Sequence, residues 1–341
     1  MRGQRGSVII IVLWTSVLLT VLVTVMAGKV QLSAKTAFHN STAVAAMANT
    51  NSAMYRAEME LILERMTAPI DQEIVVDEDG NSRADEYRFN GQALTLFYPA
   101  GEDMVVRIYD HAGKINLNGI SLQEMRLLIE NRMGDDIDDD LVQELLMAWN
   151  DWTDLNDGIS INGAEREYYQ ALEPPYSPRN HSELDSVEEL RLIRGFDDLF
   201  KDVNLDAAFT VYGSTRTVNL NLATREAMQL LPGLNDELIE EIIAYRERKD
   251  FRNKSDVGNI VPLDNFVELS NWIGSNTSSY YSVFAYPKAL VQEDDEEQGI
   301  DPVTQAYMEI MEVRGPRERA RVYKVNPYGR LPDTSPPMVD D

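Results

Sequence analysis

The chain has 341 residues, no cysteine and a formal net charge of −26 at pH 7. The missing cysteines exclude disulfides, thiolate metal sites and thiol catalysis, which leaves oxygen ligands for any bound metal. The strong acidity disfavours nucleic acid or an anionic lipid surface as a partner of the soluble part, because the summed field of the chain repels phosphate.

A basic start is followed by a long uncharged stretch. Arg2 and Arg5 precede Gly6, and residues 7–28 contain no charged side chain. At about 1.5 Å of rise per residue, a helix of this length spans roughly 30 Å of hydrocarbon. The stretch therefore predicts one transmembrane crossing.

The apolar pattern does not stop with this stretch. A cleaved secretory signal, with a small-residue site at residues 26–28, is one interpretation. However, apolar residues continue at helical spacing until Pro69, which predicts a single helix from Ser7 to about Met66. Its stripe of Met and Ala residues from Ala43 onward packs either on the chain's own sheet or on neighbouring helices.

The first six residues resemble the leader of a type IV pilin-like (class III) signal, because a short basic segment ends in Gly6 before an unbroken apolar helix. The resemblance implies cleavage after Gly6 by prepilin peptidase and methylation of Ser7, the new N-terminus. Most members of that family carry glutamate at the fifth mature position, where this chain has Ile11. The resemblance implies that this carboxylate meets the N-terminal amine of the subunit already in the filament, and a subunit that enters first has no such amine to meet. An unpaired carboxylate at membrane depth costs about 2.5–3.5 kcal/mol, so Ile11 favours a subunit that enters a filament first and stays at its tip. The alternative is that Ile11 is one more apolar residue of an anchor.

Beyond Pro69 the pattern changes from helical to alternating. Alternating runs with Asp-Gly and Asn-Gly turns predict antiparallel strands up to residue 118, helical signals dominate residues 121–265, and alternation returns from residue 279. The predicted fold class is α+β, with a pilin-like long N-terminal helix packed on an antiparallel sheet and a large, mostly helical domain inserted in the sheet. The predicted segments are the leader (1–6), the transmembrane half (7–28) and periplasmic half (29–68) of the helix, the first part of the sheet (69–118), the inserted helical domain (119–270), the second part of the sheet (271–328) and a disordered tail (329–341).

The helical insert contains a repeat. Residues 115–118 (Ile-Asn-Leu-Asn) match residues 218–221 (Val-Asn-Leu-Asn), and a methionine stands nine residues after the first asparagine of each copy. Each copy predicts a helix, a turn and a second helix. Two capping-box pairs favour helix starts in this region, Ser121 with Glu124 and Ser186 with Glu189.

The second copy resembles a helix-hairpin-helix, a module that grips DNA phosphates through backbone amides in other proteins. A membrane-anchored DNA-uptake receptor is therefore an alternative function, and the basic run at residues 245–254 supports it. The start of the second helix instead carries acidic side chains such as Asp236, Glu237 and Glu240, which repel a phosphate. This charge favours a module used for packing, without nucleic acid as a partner.

An acidic segment offers oxygen ligands for a metal. Three aspartates recur every three residues, at Asp151, Asp154 and Asp157, just past a predicted helix end, and Glu165 follows them. Calcium takes six to eight oxygen ligands, so either a calcium loop or a solvated acidic loop is possible. A hydrolase would need a separated carboxylate pair in an apolar pocket; nothing in the sequence indicates one, and no enzymatic activity is predicted.

Four stretches around this segment carry a specific family resemblance. DWTDLNDG, NGAEREYYQ, PPYSPRN and DSVEELRLIRGF occur in this order between residues 151 and 196. With the leader and the absent fifth-position glutamate, they resemble the K-type minor pseudopilins of the type II secretion system. The resemblance implies calcium in the inserted domain, with Asp151, Asp154, Asp157 and Glu165 as ligands.

The same resemblance implies a location, partners and a role. The chain is expected in the bacterial inner membrane, crossing once with a short cytoplasmic N-terminus and a periplasmic C-terminal domain. Its expected partners are the I-type and J-type minor pseudopilins, the H-type and major pseudopilins, and prepilin peptidase. The expected role is to initiate and cap the pseudopilus tip during export of folded proteins across the outer membrane.

Overall fold

The fold is seen in a computed structural model, which describes residues 5–64, 89–93, 104–134, 137–178, 181–288, 305–315 and 317–332. The first predicted strand (73–76), the acidic segment 292–299 and most of the predicted tail lie outside the described residues.

The helices are α1 (Arg5–Glu64), α2 (Leu122–Met133), α3 (Asp139–Thr153), α4 (Arg166–Gln170), α5 (Phe196–Leu199), α6 (Leu205–Ala208), α7 (Arg225–Leu230), α8 (Asp236–Arg246), α9 (Lys254–Gly258) and α10 (Leu263–Leu269). The strands are β1 (Asn90–Ala93), β2 (Met104–Asp110), β3 (Ile115–Asn116), β4 (Phe209–Thr210), β5 (Val218–Asn219), β6 (Ile273–Gly274), β7 (Tyr280–Pro287), β8 (Gln305–Glu312) and β9 (Arg321–Arg330), and 3₁₀ turns span His111–Gly113 and Val187–Leu192.

The N-terminal unit, Met1–Ser52, consists of the first part of α1. Its large apolar side chains are exposed, and the hydroxyls of Thr15, Thr20 and Thr24 donate to carbonyls one turn earlier. These bonds satisfy the three threonine hydroxyls within a segment suited to hydrocarbon. Among the described residues, one helix is long and apolar enough to cross a membrane, and it is this one. The predicted long helix is confirmed, whereas its membrane topology stays a prediction.

The second unit, Ala53–Asp341, begins with the last turns of α1. Ala53, Met54, Ala57 and Leu61 are buried against one face of a five-stranded sheet. The interpretation that the Met and Ala stripe packs on the chain's own sheet therefore holds from Ala53 onward. Small residues at this spacing let the helix backbone approach the sheet closely.

The sheet order explains where the helical body enters the fold. The strands lie in the order β1-β2-β7-β8-β9 and every neighbouring pair is antiparallel. β2 and β7 are hydrogen-bonded neighbours from Met104↔Pro287 to Asp110↔Tyr281, although the chain between them contains α2 to α10. The helical body is thus inserted between two adjacent strands, which confirms the predicted α+β architecture.

Alternation along β7 separates the two faces of the sheet. Tyr281 and Val283 join the core under α1, whereas Phe284 and Tyr286 join a second cluster on the opposite face. This division follows from the two-residue period of a strand. Both faces of β7 are consequently buried, as expected for a central strand.

The predicted repeat is confirmed by its hydrogen bonds. The short strand of the first copy, β3, runs parallel to β4, and that of the second copy, β5, runs parallel to β6. The backbone N–H of Asn118 donates to Asn116 Oδ1 and that of Asn221 donates to Asn219 Oδ1, both at 3.1 Å. The methionine that follows each motif is fully buried. The same four residues therefore build the same turn twice, because asparagine amides satisfy its backbone groups.

Both capping boxes form, but they start helices of different types. Ser121 and Glu124 exchange their bonds at the start of α2, whereas Ser186 and Glu189 start a 3₁₀ turn rather than an α-helix. The predicted helix start at Ser186 is correct in position, and its helical type differs.

The last strand extends further than the sequence predicts. The predicted tail begins at residue 329, but β9 extends to Arg330 and Leu331 is buried. The side-chain amide of Asn204 donates to the carbonyls of both residues, at 3.1 and 3.3 Å. A tertiary contact with the helical body thus holds residues that composition alone assigns to a tail.

A buried polar cluster joins the helical body to the sheet. His111 lies between two hydroxyls, with Nδ1 2.7 Å from Thr210 Oγ1 and Nε2 2.9 Å from Ser282 Oγ. Lys114 Nζ donates to Ser282 Oγ at 2.8 Å and to the carbonyl of Asp206 at 2.6 Å. Because Ser282 belongs to the sheet and Thr210 and Asp206 to the helical body, these bonds cross the junction.

A second lysine completes this cluster. Lys324, on β9, donates to both carboxylate oxygens of Asp206, at 2.8 and 3.0 Å, and to Glu188. Burial lowers the pKa of His111 well below its usual range, and nearby Lys114 and Lys324 lower it further. Burial also lowers the pKa of Lys114, to about 8. We call His111, Lys114, Asp206, Thr210, Ser282 and Lys324 the junction network.

Candidate functional site

Helix α3 explains part of the acidic segment. The Asp138 side chain caps the helix by accepting from the N–H groups of Asp140 and Leu141, and Asp139 and Asp140 occupy the first turn. Carboxylates at a helix N-terminus are stabilised by its unpaired N–H groups and dipole. These acidic residues therefore have a role in starting the helix, independent of any metal.

The same helix carries the first predicted metal ligand. The sequence placed Asp151 just past a helix end, but α3 continues to Thr153, so Asp151 lies in its last turn. The helix continues because Trp149 and Trp152 are buried on its core-facing side. Asp151 is only 1% exposed, and the loop that follows the helix covers it. The sequence predicts Asp151 in a loop, whereas the structure has it as a buried carboxylate in the last turn of a helix.

Asp151 is held against the backbone of the loop that follows. Its two carboxylate oxygens accept from the N–H of Ser160, at 3.3 and 3.1 Å. A Cβ added to Gly163 would lie 2.0 Å from Asp151 Oδ2. Glycine at this position therefore creates the space that the carboxylate occupies. We call residues 154–165, which connect α3 to α4, the α3–α4 loop.

Glu165 closes this loop and leaves one oxygen without a protein partner. Its Oε2 accepts from the N–H of Arg166 at 3.0 Å, while Oε1 is buried and has no hydrogen-bond partner among the described residues. The residue is 5% exposed. Burial raises the pKa of Glu165, and the carboxylates of Asp151, Asp154 and Asp157 raise it further, against the lowering effect of the Arg166 N–H. An orphaned oxygen in a field of negative charge is where a cation is most favourable.

The other two predicted ligands are engaged by protein groups. Asp154 accepts from the N–H of Asn156 at 3.0 Å and from its side-chain amide at 2.8 Å. Asp157 Oδ1 lies 3.1 Å from a guanidinium nitrogen of Arg166. Across the described ranges, no three His, Asp or Glu side chains gather closely enough to hold a metal ion. The oxygen-only donor set and the buried pair Asp151 and Glu165 nevertheless fit a hard cation such as calcium.

The sequence analysis missed the residue that braces this site. Arg194 donates to Glu144 Oε2 at 2.7 Å and to the carbonyl of Gly163 at 3.4 Å, and its guanidinium lies 5.3 Å from the ring centre of Tyr168. It connects α3, the α3–α4 loop and α4 from a position far along the chain. No local pattern marks such a contact, because spacing of this length carries no periodic signal.

Replacing Gly163 by alanine should displace the Asp151 carboxylate. The new methyl group would overlap Oδ2, and the side chain of Asp151 is too short and too buried to move away without losing its bond to Ser160. We expect the melting temperature of the full chain in detergent to fall and to respond less to added calcium. Gly119→Ala is the matched control, since a Cβ there meets its nearest atom at an ordinary 3.4 Å. Equal behaviour of the two variants would contradict this role of Gly163.

Two basic residues of the second repeat are engaged by groups of the protein itself. Arg246 is buried and donates to the carbonyls of Leu220 and Ala223, at 3.0 and 2.5 Å. Arg225 pairs with Glu240 at 2.6 Å. These two cations stabilise the hairpin. Arg248, Lys249, Arg252 and Lys254 of the same run are exposed, but the first turn of α8 carries Asp236 and Glu237, which repel a phosphate. The geometry therefore favours a packing module over a DNA-binding one.

Comparisons with known proteins agree on one family. Residues 113–202 match the family model described as type II secretion system (T2SS), protein K, in its first domain. Type II secretion system protein K of Pectobacterium carotovorum is 32% identical over 110 residues, which is 32% of each chain, and that of Klebsiella pneumoniae is 34% identical over 91 residues, 27% of this chain and 28% of the relative. The Pseudomonas aeruginosa protein is 27% identical over 166 residues, 46% of this chain and 48% of the relative. The matched part thus spans between 28% and 48% of these relatives.

The fold comparison covers more of the chain. A chain in the crystal structure of the GspK-GspI-GspJ complex from enterotoxigenic Escherichia coli superposes with a TM-score of 0.53 at 15% sequence identity. The match covers 84% of this chain and 97% of the other. At this identity the likeness is one of fold. The chain is therefore similar to type II secretion system protein K in sequence over its helical body and in fold over most of its length.

Proposed function

We propose that this chain is a minor pseudopilin of the type II secretion system that initiates and caps the pseudopilus tip. The observation that carries the proposal is the insertion of a helical body between adjacent strands β2 and β7 of a sheet packed on the end of α1. This is the fold of the matched chain, and the matched crystal structure contains GspI and GspJ beside GspK. The I-type and J-type minor pseudopilins are accordingly the proposed partners, with the H-type and major pseudopilins beyond them.

The N-terminus supports the tip position. Gly6 and Ser7 lie in the first turns of α1, where prepilin peptidase would cut and methylate. Ile11 follows on the same apolar helix and is exposed. An apolar side chain at that depth needs no partner, unlike a carboxylate, so this subunit can stand first in the filament. The proposed location is the bacterial inner membrane, with the body in the periplasm, and then the pseudopilus tip.

We propose calcium as the ion of the α3–α4 loop. Asp151 and Glu165 would form the buried part of the site, with Asp154 and Asp157 as the outer ligands. The ion would neutralise a cluster that otherwise raises the pKa of Glu165 and would satisfy its unpartnered Oε1. Its role is structural, because the chain has no disulfide to order this loop and the proposed work of the subunit is mechanical rather than catalytic.

Co-purification tests the assignment directly. The tagged full chain should recover the I-type and J-type minor pseudopilins from a detergent extract of cells that produce all three. An equally tagged single-pass membrane protein is the control and should recover neither. If the I-type and J-type proteins purify with each other but never with this chain, the proposal is wrong. A DNA-uptake receptor would instead retain labelled duplex DNA at low salt and release it at high salt.

A further inference from the structure

The α3–α4 loop exposes three large aliphatic side chains. Leu155 is 73%, Ile159 67% and Ile161 87% exposed, although surface loops usually carry polar residues. A single exposed aliphatic side chain is ordinary, but three within seven residues form a concentration that marks an interaction surface. Neither the pseudopilin fold nor the proposed calcium site requires them.

The loop holds these side chains in place by its own hydrogen bonds. Asp154 and Asn156, which flank Leu155, are hydrogen-bonded to each other. The N–H of Gly158, the residue before Ile159, donates to Asn156 Oδ1 at 2.7 Å. The N–H of Ser160 donates to Asp151, and the carbonyl of Ser160 accepts from the N–H of Gly163 at 2.9 Å. These two bonds fix the backbone on both sides of Ile161. A preorganised loop loses little conformational entropy on binding. The aliphatic side chains are therefore presented rigidly.

The charge around the loop selects the kind of partner. Residues 151–173 contain six acidic residues and one arginine, a net charge of −5, and one bound divalent cation would leave the segment negative. This field repels anionic lipid headgroups. It equally disfavours a second copy of this chain, whose net charge is −26. A protein surface with an apolar cleft and a rim of lysine or arginine is complementary in both respects.

We propose that the α3–α4 loop docks Leu155, Ile159 and Ile161 into an apolar, basic-rimmed cleft of another protein. The loop supplies the apolar anchors, and acidic residues such as Glu167 set their orientation and speed the encounter. This contact lies on the inserted body and is distinct from packing along α1.

Site-specific photo-crosslinking in living cells tests the contact. A photoreactive phenylalanine analogue at Ile161 of the full chain should give a protein adduct, whereas the same analogue at Leu263, which is 74% exposed on α10, should not give that adduct. Peptide mapping should place the crosslink in an apolar cleft next to lysine or arginine. Adducts only to lipid, only to this chain, or to no molecule would overturn the proposal.

Charge reversal makes the test specific. Glu167→Lys should reduce the adduct yield by about tenfold, the effect of one unfavourable rim charge pair. Asp264→Lys, beside the control position, should leave the yield unchanged. An adduct that is indifferent to Glu167→Lys would contradict the basic rim and hence the proposed partner.

An export assay separates this inference from the proposed function. The variant Leu155→Asn/Ile159→Asn/Ile161→Asn changes exposed side chains only, so its melting temperature and its recovery of the I-type and J-type proteins should equal those of the original chain. We expect export to fall severalfold in this variant but not in Leu263→Asn/Val267→Asn. Normal export in the triple variant overturns the docking proposal, whereas normal export after deletion of the whole chain overturns the proposed function.

Discussion

Calcium at a hundred times its dissociation constant should raise the free energy of unfolding of the full chain by about 2.7 kcal/mol. The reason is that the proposed site brings Asp151 and Glu165 together only in the folded chain, so the ion would stabilise the folded state alone. Thermal unfolding in detergent, with calcium or with a chelator, measures the difference. Magnesium is a useful comparison, because it demands a stricter octahedral geometry and gives up its water reluctantly.

Glu165→Gln should affect the free energy of unfolding differently in chelator and in calcium. The raised pKa of Glu165 means that the folded state disfavours the charged carboxylate, so stability falls as pH rises through its native value. In chelator at neutral pH, the neutral glutamine should therefore be as stable as glutamate or more stable. With calcium, the same variant should lose most of the stabilising shift, because one charged ligand is gone.

Controls make the calcium result decisive. Asp151→Asn should also remove the calcium shift, while Asp264→Asn, at an exposed position on α10, should preserve it. A shift that is equal in all three variants would mean that calcium binds elsewhere, and an unchanged melting temperature of the original chain would exclude the site.

Acid should weaken the junction between the helical body and the sheet. His111 is buried between Thr210 and Ser282, and its native pKa lies well below the value of about 6.5 expected in the unfolded chain. Below about pH 6.5 the unfolded state therefore binds more protons, and the free energy of unfolding falls by up to about 1.4 kcal/mol per pH unit. This loss continues until the pH reaches the lowered native pKa.

The buried lysine predicts a second window, at alkaline pH. The native pKa of Lys114 is about 8, against about 10.4 when unfolded. Between these values the unfolded state holds more protons, so the contribution of this group to stability rises with pH. Lys114→Met should remove that rise.

Substitution of single histidines isolates the acid effect from other titrating groups. His111→Gln keeps a donor and an acceptor between the two hydroxyls but removes the titration, so the slope of stability between pH 6.5 and 5 should decrease. His181→Gln, at an exposed position, should leave the slope as it is. The measurement is denaturant unfolding of the full chain at several pH values, and identical slopes for all three proteins would contradict the role of the junction network.

Local patterns in the sequence predict several parts of this protein correctly. The helical period of the apolar residues predicts α1 from near Ser7 to near Met66, and the structure has Arg5–Glu64. Alternation predicts β2 before the insert and β7, β8 and β9 after it, and the matching Asn motifs predict a repeated turn. These features depend on residues a few positions apart, whose spacing directly determines which face of a helix or strand they share.

Only the tertiary structure decides the roles that depend on distant residues. Asp151 is buried and accepts from the N–H of Ser160, Arg194 braces the loop from far along the chain, and Asn204 holds residues that composition assigns to a tail. The junction network likewise brings His111 to Ser282 across the whole insert. The sequence by itself determines the long apolar helix, the strands that flank the insert and the lack of thiol ligands, whereas packing determines which carboxylates are buried, because burial depends on contacts that local spacing does not encode.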